Sequence, residues 1–325
     1  MKTGQPLVSI IMPAYNAAGL ISQSIECVIA QVYKNWELII IDDGSIDETF
    51  ELAKSFKDAR IVVVKREHGG QGHATNYGLH LCKGDYIQFL DADDIMDSSK
   101  ISVQINDLKD YGNEYVGISR WSFFYDDISN AVFNNEPVYF SGESKQWLHA
   151  LWLHETMMSN HGYLTPRGVI EKAGKFYDTS LDLNIDFEYF TRVLLAAKGV
   201  VYSPRALCYY RKQVENSLTH KPGFKMKLNA LNARVKAINY LFQFDHSPQA
   251  RKAAQMALTI LTFSFPEIYL FAKRSIKSLG LKSFADFGGK RFKKISSFIG
   301  FEKTIQLKSL LQKFPIAVFL TLAYT

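Results

Sequence analysis

Cysteine is scarce in this 325-residue chain, which has only Cys27, Cys82 and Cys208. Their odd number and wide spacing argue against a disulfide framework, and they form no metal-binding pattern with the eight dispersed histidines. We therefore predict reduced, buried thiols and no zinc site. The polar residues after Met1 lead straight into a strand pattern and do not resemble a secretory signal peptide, so a cytoplasmic protein is expected.

Several nucleotide- and metal-binding motifs are also missing. The chain has no Gly-x-x-x-x-Gly-Lys-Ser/Thr segment, which excludes a P-loop, and its first strand-to-helix turn lacks Gly-x-Gly-x-x-Gly, which disfavours a dinucleotide dehydrogenase. An EF-hand beginning at Asp91 would need Gly and Glu where the chain has Met96 and Ser102. Any nucleotide or metal site must therefore be built differently.

Basic charge is sparse in the first 250 residues, which carry 25 Lys and Arg against 29 Asp and Glu, whereas residues 251–325 carry 13 against 3. This asymmetry indicates an anionic partner for the basic part. Because basic residues alternate there with Phe, Leu and Ile, we predict helices on an anionic membrane surface. A helical cap with a solvated basic face is the alternative. Nucleic acid is not expected, because no binding motif accompanies the charge.

Long hydrophobic runs are rare, and the nearest approach to a membrane span is Ala253 to Ala272. Pro266 and Glu267 interrupt it, so a transmembrane helix is a less favoured alternative to a peripheral position on the cytoplasmic face.

Short buried strands alternate with helices in the first hundred residues, which predicts an α/β fold with a parallel sheet and right-handed crossovers. Ser45 and Glu48 form a capping-box pattern for the second helix. A glycine-rich loop at 69–72 is expected to open a helix over His73 to Cys82. The strands are predicted at residues 7–12, 37–41, 61–64 and 86–90.

The second part of the chain has weaker patterns. We predict a strand from Tyr115 to Asp126, helices over Ser144 to Leu153 and Asp186 to Ala197, and a last strand that includes Tyr209. The predicted domains are an α/β domain at 1–220, with halves at about 1–112 and 113–220, and a basic helical region at 221–325.

Acidic residues follow two of the predicted strands. Asp42 and Asp43 end the second strand, and Asp91, Asp93 and Asp94 follow the fourth. Because parallel strands present their carboxyl ends at one sheet edge, both sets should face one crevice. Turn and helix-capping roles are the alternatives for each set alone. Crowded carboxylates repel one another unless a cation lies among them, which predicts Mg²⁺ or Mn²⁺ shared with substrate phosphates.

Three sequence blocks resemble the signatures of the family 2 glycosyltransferases. They are Val8-Ser9-Ile10-Ile11-Met12-Pro13-Ala14-Tyr15-Asn16, Asp42-Asp43-Gly44-Ser45-Ile46-Asp47 and Phe89-Leu90-Asp91-Ala92-Asp93-Asp94. The resemblance is strong over residues 6–100 and weaker to about 220. It implies a GT-A fold, a Rossmann-like and mostly parallel sheet flanked by helices, here with a C-terminal helical extension.

The resemblance also implies a nucleotide-diphosphate sugar donor, commonly a UDP-sugar. Pro13 and Tyr15 would line the base pocket, and Asp43 would hydrogen-bond the base. Thr75 stands where many relatives have Arg, so another basic residue must help to position the donor. The full set of implied donor-binding residues is Pro13, Tyr15, Asn16, Asp42, Asp43, Gly70, Gln71, Asp91 and Ala92, and the metal ligands are Asp91, Asp93 and Asp94.

A late helix carries the catalytic base in such proteins, and Asp186 matches that position, although Ile185 precedes it where relatives often have Glu. A helix cap is the alternative role for Asp186, and Asp182 and Glu188 are rival bases. The implied reaction is an inverting transfer to a glycan or polyprenyl-linked acceptor in bacterial surface-polysaccharide synthesis. A sugar-nucleotide nucleotidyltransferase and a non-catalytic membrane-docked relative are the alternatives.

Overall fold

The computed structural model of the chain describes residues 4–154, 156–212 and 223–281. In these residues nine strands form one sheet: β1 (Val8–Ala14), β2 (Trp36–Asp42), β3 (Ile61–Lys65), β4 (Tyr86–Phe89), β5 (Ile95–Met96), β6 (Tyr115–Phe124), β7 (Gly142–Glu143), β8 (Tyr163–Pro166) and β9 (Gly199–Arg211). The helices of the same residues are α1 (Ile21–Ile29), α2 (Thr49–Ser55), α3 (Gln71–Leu81), α4 (Lys100–Leu108), α5 (Ser144–Leu153), α6 (Arg167–Lys172), α7 (Ile185–Ala196), α8 (Phe224–Phe244), α9 (Pro248–Ser264) and α10 (Tyr269–Ser278).

The first four strands lie in the order β3-β2-β1-β4 and are all parallel. Strand β1 is therefore central, with Ala14 paired to Asp42 at its carboxyl end and Ile11 paired to Phe89 of β4. Almost every residue of β1, β2 and β4 is buried, as expected of strands covered by helices on both faces. The α/β prediction with a parallel sheet is confirmed in this half.

The sheet continues through β8, β6, β9 and β5, and β7 pairs with β9. Strand β8 is antiparallel to both β4 and β6, whereas the long pairing of β6 with β9 is parallel. Most paired residues therefore lie in parallel ladders, as predicted, but the second half is mixed. This arrangement brings the end of β9 beside the segment that follows β4, where β5 pairs with β9.

One local prediction is wrong. Ser45 does not cap α2, because its hydroxyl accepts a hydrogen bond from the backbone N–H of Asn16, and Asp47 accepts instead from the N–H of Thr49 at the helix start. A contact between two loops thus overrode the local capping pattern. The helix predicted after the glycine-rich loop is present as α3, which begins at Gln71, so the second half of the glycine-rich segment is already helical.

The chain divides into one compact unit up to Ala257 and a second unit from Leu258. In the first unit α8 packs against α7. In the second unit α9 ends at Ser264, a single 3-10 turn follows, and α10 completes the described part. No helix of the described residues is both long and apolar enough to cross a bilayer. The predicted boundary near residue 220 lies within a segment outside the described residues.

Candidate functional site

The predicted acids meet at the carboxyl edge of β1, β2 and β4. Strand β2 ends at Asp42, and the segment Asp91 to Asp94 follows β4 directly. Asp42 itself is fully buried, and its Oδ2 lies 3.3 Å from the backbone N of Ser45, which donates to it. Ala92 is also buried, and its carbonyl accepts a hydrogen bond from Ser24. Asp42 and Ala92 therefore support this edge of the sheet through hydrogen bonds inside the protein.

The loops after β1 and β2 are fastened to each other. Asn16 adopts a left-handed backbone with φ of 48°, its N–H donates to Ser45 Oγ at 2.9 Å, and its Oδ1 accepts from the N–H of Ile46 at 3.0 Å. Gly44 has φ of 77°, and a Cβ there would lie 2.8 Å from the backbone N of His68. A glycine is therefore required at position 44, where the loop after β2 closely approaches the backbone of His68 in the loop after β3.

Asp43 organises the glycine-rich loop. Its Oδ1 accepts from the N–H of Gly69 at 3.0 Å, and its Oδ2 accepts from the N–H of Gly70 at 2.7 Å. The Nδ1 of His68 lies 2.9 Å from the same Oδ2. The carboxylate is buried among these groups. One acid thus fixes three consecutive residues of the loop.

Helix α3 begins beside the acid segment after β4. The side chain of Gln71, its first residue, donates from Nε2 to Oδ1 of Asp91 at 3.1 Å. Gly70 precedes the helix with φ of 93°. Thr75 is buried and bonds within its own helix to the carbonyl of Gln71, so it does not face a ligand. The start of an 11-residue helix at this edge favours bound anionic groups.

The acid segment is anchored by the end of β9. The backbone N–H of Arg211 donates to Oδ1 of Asp94, and its Nε donates to the carbonyl of Asp93, each at 2.9 Å. Oδ2 of Asp94 lies 2.9 Å from Nδ1 of the buried His161. Asp94 is therefore enclosed by protein groups, whereas Asp91 and Asp93 are half-buried.

Burial and the neighbouring carboxylates raise the pKa values of Asp91 and Asp93. Burial, followed by the charges of Asp94, Asp93 and Asp186, raises the pKa of Asp91 well above its usual value. Burial and the charge of Asp94 raise the pKa of Asp93 to about 7, against a smaller opposing effect of Arg211. A cation bound among these four carboxyl groups would reduce their mutual repulsion, so the site favours cation binding.

The described residues contain no group of three or more His, Cys, Asp or Glu side chains arranged to hold a metal ion. Asp91 and Asp93 nevertheless supply two half-buried carboxylates with raised pKa values. Mg²⁺ is commonly held by one or two carboxylates together with substrate phosphates and waters. The donor set therefore fits a cation that arrives with a diphosphate.

Asp186 lies in the first turn of α7, after Asn184 with its left-handed backbone. Asn160 and Tyr177 hydrogen-bond to its carboxylate, and burial raises its pKa to about 6. Its Oδ1 is buried and has no hydrogen-bond partner among the described residues. A carboxylate with a free oxygen and this pKa is well suited to accept a proton near neutral pH.

The two rival residues have other partners. Asp182 is exposed and accepts a hydrogen bond from Asn229 Nδ2 at 2.7 Å. Glu188 is buried, and both of its oxygens accept from Arg192, at 2.7 and 3.0 Å. Of these three acids, only Asp186 is among the charges that raise the pKa of Asp91.

Several residues of the site were missed by sequence reasoning. Asn76 exchanges two hydrogen bonds with the backbone of Tyr177, 2.7 and 3.0 Å long, and so connects α3 to the segment before α7. Sequence patterns assign no role to Arg211, His68 or His161. Their partners lie from 25 to more than 100 residues away, which no local pattern reveals.

The model of the family described as Glycosyl transferase family 2 matches residues 9–170, which include β1 to β4 and both acidic strand ends. An uncharacterised glycosyltransferase of Rickettsia typhi is 34% identical over 193 residues, covering 59% of this chain and 60% of the relative. The Escherichia coli protein WfaP, named UDP-Glc:alpha-D-GlcNAc-diphosphoundecaprenol beta-1,3-glucosyltransferase, is 38% identical over 132 residues, covering 40% of this chain and 52% of WfaP. The chain spans 60% or less of the length of these relatives.

The fold is similar to that of a TarS fragment from S. aureus, residues 1–349, solved in complex with UDP-GlcNAc. The TM-score is 0.63 at 16% identity, with 86% of this chain and 80% of the TarS chain covered. This likeness concerns the fold alone, which is of the GT-A type, as the sequence blocks implied. Through residues 9–170, with their acid-bearing strand ends, the chain belongs to glycosyl transferase family 2.

Proposed function

We propose that this protein is an inverting glycosyltransferase that moves a sugar from a nucleotide-diphosphate sugar to an acceptor hydroxyl. The observation that carries the proposal is that the acids following β4 lie close to Asp186 at the start of α7. The half-buried Asp91 and Asp93 follow β4 at the edge of the sheet, and Asp186, with a free oxygen, lies close enough for its charge to raise the pKa of Asp91. Separate groups are thus available for the leaving group and for the acceptor proton.

The donor would lie across the ends of β1, β2 and β4. Pro13, Tyr15 and Asn16 would border the base and ribose, with Asp42 and Asp43 supporting that border from inside the protein. Gly70, Gln71 and Ala92 would form the backbone surface toward the diphosphate. UDP-sugars are the favoured donors, since the name of WfaP specifies UDP-Glc and the TarS fragment was solved with UDP-GlcNAc.

A divalent cation, Mg²⁺ or Mn²⁺, would be held by Asp91 and Asp93. Bound there, it would offset the negative charge of the diphosphate leaving group. Asp94, the third ligand that the sequence predicts, would act mainly by fixing Asp93 through Arg211, because its own carboxylate is enclosed. The start of α3 would add a partial positive charge on the same side.

Asp186 would accept the acceptor's proton. As the acceptor oxygen forms its bond to the anomeric carbon, the bond from that carbon to the diphosphate oxygen breaks, and the proton passes to the carboxylate of Asp186. The nucleoside diphosphate leaves on the opposite face, so a single displacement inverts the anomeric configuration. No covalent sugar–enzyme intermediate is needed.

The acceptor is proposed to be a lipid-linked or growing glycan of a surface polysaccharide. The name of WfaP gives a diphosphoundecaprenol-linked sugar as its acceptor. An enzyme that uses such an acceptor would work at the cytoplasmic face of the membrane as a peripheral protein.

Helix α10 is suited to that membrane contact. Leu270, Lys273, Arg274 and Lys277 recur at the spacing of one helical face, and all four are exposed, whereas Ala272 and Ile276 on the other face are buried. Leu270 is 66% exposed, and the helix carries no acidic residue. An exposed apolar residue among cations is typical of helices that lie on anionic bilayers.

A vesicle experiment tests this contact. Exchanging Lys273, Arg274 and Lys277 together for Glu should abolish cosedimentation with phosphatidylglycerol vesicles. The same exchange at the exposed Lys54, Lys57 and Lys83 is the control for net charge and should leave binding largely intact. Equal binding by both triple variants would contradict the membrane role of α10.

The glycosyltransferase activity is tested with nucleotides first. Thermal shifts are measured with UDP, UDP-sugars and GDP-sugars, each with and without Mn²⁺; a stabilising UDP-sugar then enters an assay for slow donor hydrolysis and for transfer. We expect stabilisation that requires the cation and release of UDP. Release of pyrophosphate from a nucleoside triphosphate would instead indicate a nucleotidyltransferase. Binding without hydrolysis or transfer would indicate a non-catalytic relative.

A further inference from the structure

A row of aromatic rings starts beside the proposed proton acceptor and follows the ends of β9 and β6. Burial, followed by the charges of the acid segment and of Asp186, raises the pKa of the Tyr210 hydroxyl, so this ring lies close to those acids. Phe123 of β6 is paired with Tyr210 in the sheet, and their ring centroids are 5.8 Å apart in an edge-to-face contact. The row thus leads from the acids to the end of β6.

Two rings at the end of β6 are open to solvent. Phe123 is 38% exposed and Tyr125 is 54% exposed, whereas Phe124 between them is buried under the guanidinium of Arg211. This alternation is that of an extended chain, and it places the two exposed rings on the side opposite Phe124. Arg211 donates from Nη1 to the carbonyl of Tyr125 at 3.4 Å and from Nε to the carbonyl of Asp93 at 2.9 Å. A single side chain therefore connects Tyr125 to the acid segment.

Tyr125 has the larger free surface of the two. Lys212 Nζ lies 4.2 Å from the ring centroid of Phe123, and Trp121 contacts the same ring at 4.8 Å between centroids. Among the residues that the structure describes, no ring stacks on Tyr125 and none hydrogen-bonds its hydroxyl. The backbone of Tyr125 is thus held beside the acids while its ring is available to a ligand.

The groups around these rings suit a sugar. Asp126, Asp127 and Asn130 follow Tyr125 closely and are exposed. One face of a pyranose ring consists largely of C–H groups that pack on an aromatic ring, and its hydroxyls hydrogen-bond to carboxylates and amides. The two carboxylates would also repel an anionic bilayer, which separates this surface from the basic helix α10.

We propose that Tyr125 and Phe123 form a stacking site for a pyranose ring of the acceptor glycan, with Tyr125 as the main contact. Because the row of rings begins at the acids, a glycan that lies along it has one end near Asp186. The inference rests on the proposed function, since it assigns these rings to the acceptor of that reaction. It adds the surface that holds the acceptor and the chemistry by which the acceptor is held.

Binding of simple sugars tests the site without knowledge of the natural acceptor. The probes are the methyl glycosides of glucose, galactose, mannose, rhamnose, N-acetylglucosamine and N-acetylgalactosamine, titrated by saturation-transfer NMR with UDP and Mg²⁺ present. Tyr125→Ala removes the ring, and Tyr125→Trp keeps an aromatic face. Tyr111→Ala is the matched control, because Tyr111 is 46% exposed and precedes the opposite end of β6. UDP binding with Mg²⁺ is measured on every protein by calorimetry.

We expect at least one glycoside to bind the unmodified protein. Tyr125→Ala should weaken that binding roughly 5- to 10-fold, the contribution of about 40–55 Å² of buried apolar surface. Tyr125→Trp and Tyr111→Ala should retain it, and UDP affinity should be the same in all four proteins.

Three results would overturn the stacking site. They are the absence of glycoside binding by the unmodified protein, equal binding by Tyr125→Ala, and a matching loss of UDP affinity in Tyr125→Ala, which would show that the ring serves the donor instead. If UDP fails to bind while glycoside binding that depends on Tyr125 remains, the proposed function fails and the stacking site stands.

Discussion

The backbone N–H of Arg211 donates a hydrogen bond of 2.9 Å to Oδ1 of Asp94, although 117 residues separate them in the chain. The guanidinium of Arg211 adds bonds to the carbonyl of Asp93 and to Gln23 Oε1, and it lies over the ring of Phe124. The end of β9 thereby closes the acid segment that follows β4. The geometry of the proposed diphosphate site depends on a strand from the other half of the sheet.

Exchanging Arg211 for Lys should destabilise the protein, because a lysine cannot bond the Asp93 carbonyl and Gln23 together. We expect the free energy of unfolding in urea to fall by about 2–4 kcal/mol, the effect of losing buried charged hydrogen bonds. Arg205→Lys, at an exposed position of the same strand, should change it little. An unfolding free energy equal to that of the unmodified protein would show that Arg211 does not hold the segment.

Asp186→Asn should abolish transfer without loss of donor binding. The amide keeps the shape of the carboxylate but cannot accept the acceptor's proton, so kcat should fall by about 10²- to 10⁴-fold. Binding of UDP with Mn²⁺, measured by calorimetry, should be retained. Asp182→Asn, four residues earlier, serves as the control and should turn over normally. Near-normal turnover by Asp186→Asn would show that another residue accepts the proton.

Transfer should depend on pH through Asp186. Its pKa of about 6 means that the group is neutral below that pH and carries the charge needed to accept a proton above it. We therefore expect kcat/KM for the acceptor to rise through about pH 6 and level off at higher pH. The residual activity of Asp186→Asn should lack this inflection. A flat profile between pH 5 and 8 in the unmodified enzyme would count against the assignment.

Asp93→Asn should stabilise the metal-free protein at high pH. Because the pKa of Asp93 is raised to about 7 in the folded protein from 3.8, its favourable contribution is complete below pH 4 and is lost as the pH rises through 7. With chelator present, we expect a gain of about 1–3 kcal/mol at pH 8, a smaller gain at pH 5 and little change at pH 4. Asp110→Asn, an exposed acid, is the control.

Mn²⁺ provides the converse measurement on the same variants. Added cation with UDP should stabilise the unmodified protein and Asp110→Asn, but hardly Asp93→Asn, since one carboxylate of the proposed pair is gone. Equal stabilisation of all three proteins would show that Asp93 does not bind the cation.

Gly44→Ala should disturb the loop that carries His68. The φ of 77° strains any side chain, and the added methyl carbon would lie 2.8 Å from the backbone N of His68. We expect a loss of about 1–3 kcal/mol in unfolding free energy and weaker UDP binding. Gly168→Ala has open space and an ordinary backbone, and it should be nearly neutral by comparison. Equal stability of the two variants would show that the loop can shift freely.

The first half of the fold could be predicted because its signals are local. The buried runs of β1, β2 and β4 are continuous, and the helices between them begin within a few residues of the predicted starts. The acids follow these strands directly, so parallel pairing alone places Asp43 and Asp91 at one edge. The mixed second half could not be derived this way, because β8 reaches β4 from a distant part of the chain.

The supporting residues of the site could not be predicted for the same reason. Ser45 has the sequence pattern of a helix cap, yet it bonds to Asn16 on a neighbouring loop. His161 lies buried beside Asp94, and only the folded chain brings them together. Sequence reasoning identifies the groups that would do chemistry more readily than the groups that hold them in place, since the latter are defined by long-range contacts.

Helix α3 contacts both working parts of the site. Gln71, at its start, bonds to Asp91, and Asn76, five residues later, bonds to the backbone of Tyr177, whose side chain hydrogen-bonds to Asp186. Five helical residues span about 7.5 Å, a rigid distance. Under the proposed function, α3 would therefore fix the separation between the donor site and the proton acceptor, and a single inserted residue between Gln71 and Asn76 would rotate these two side chains by about 100° relative to each other.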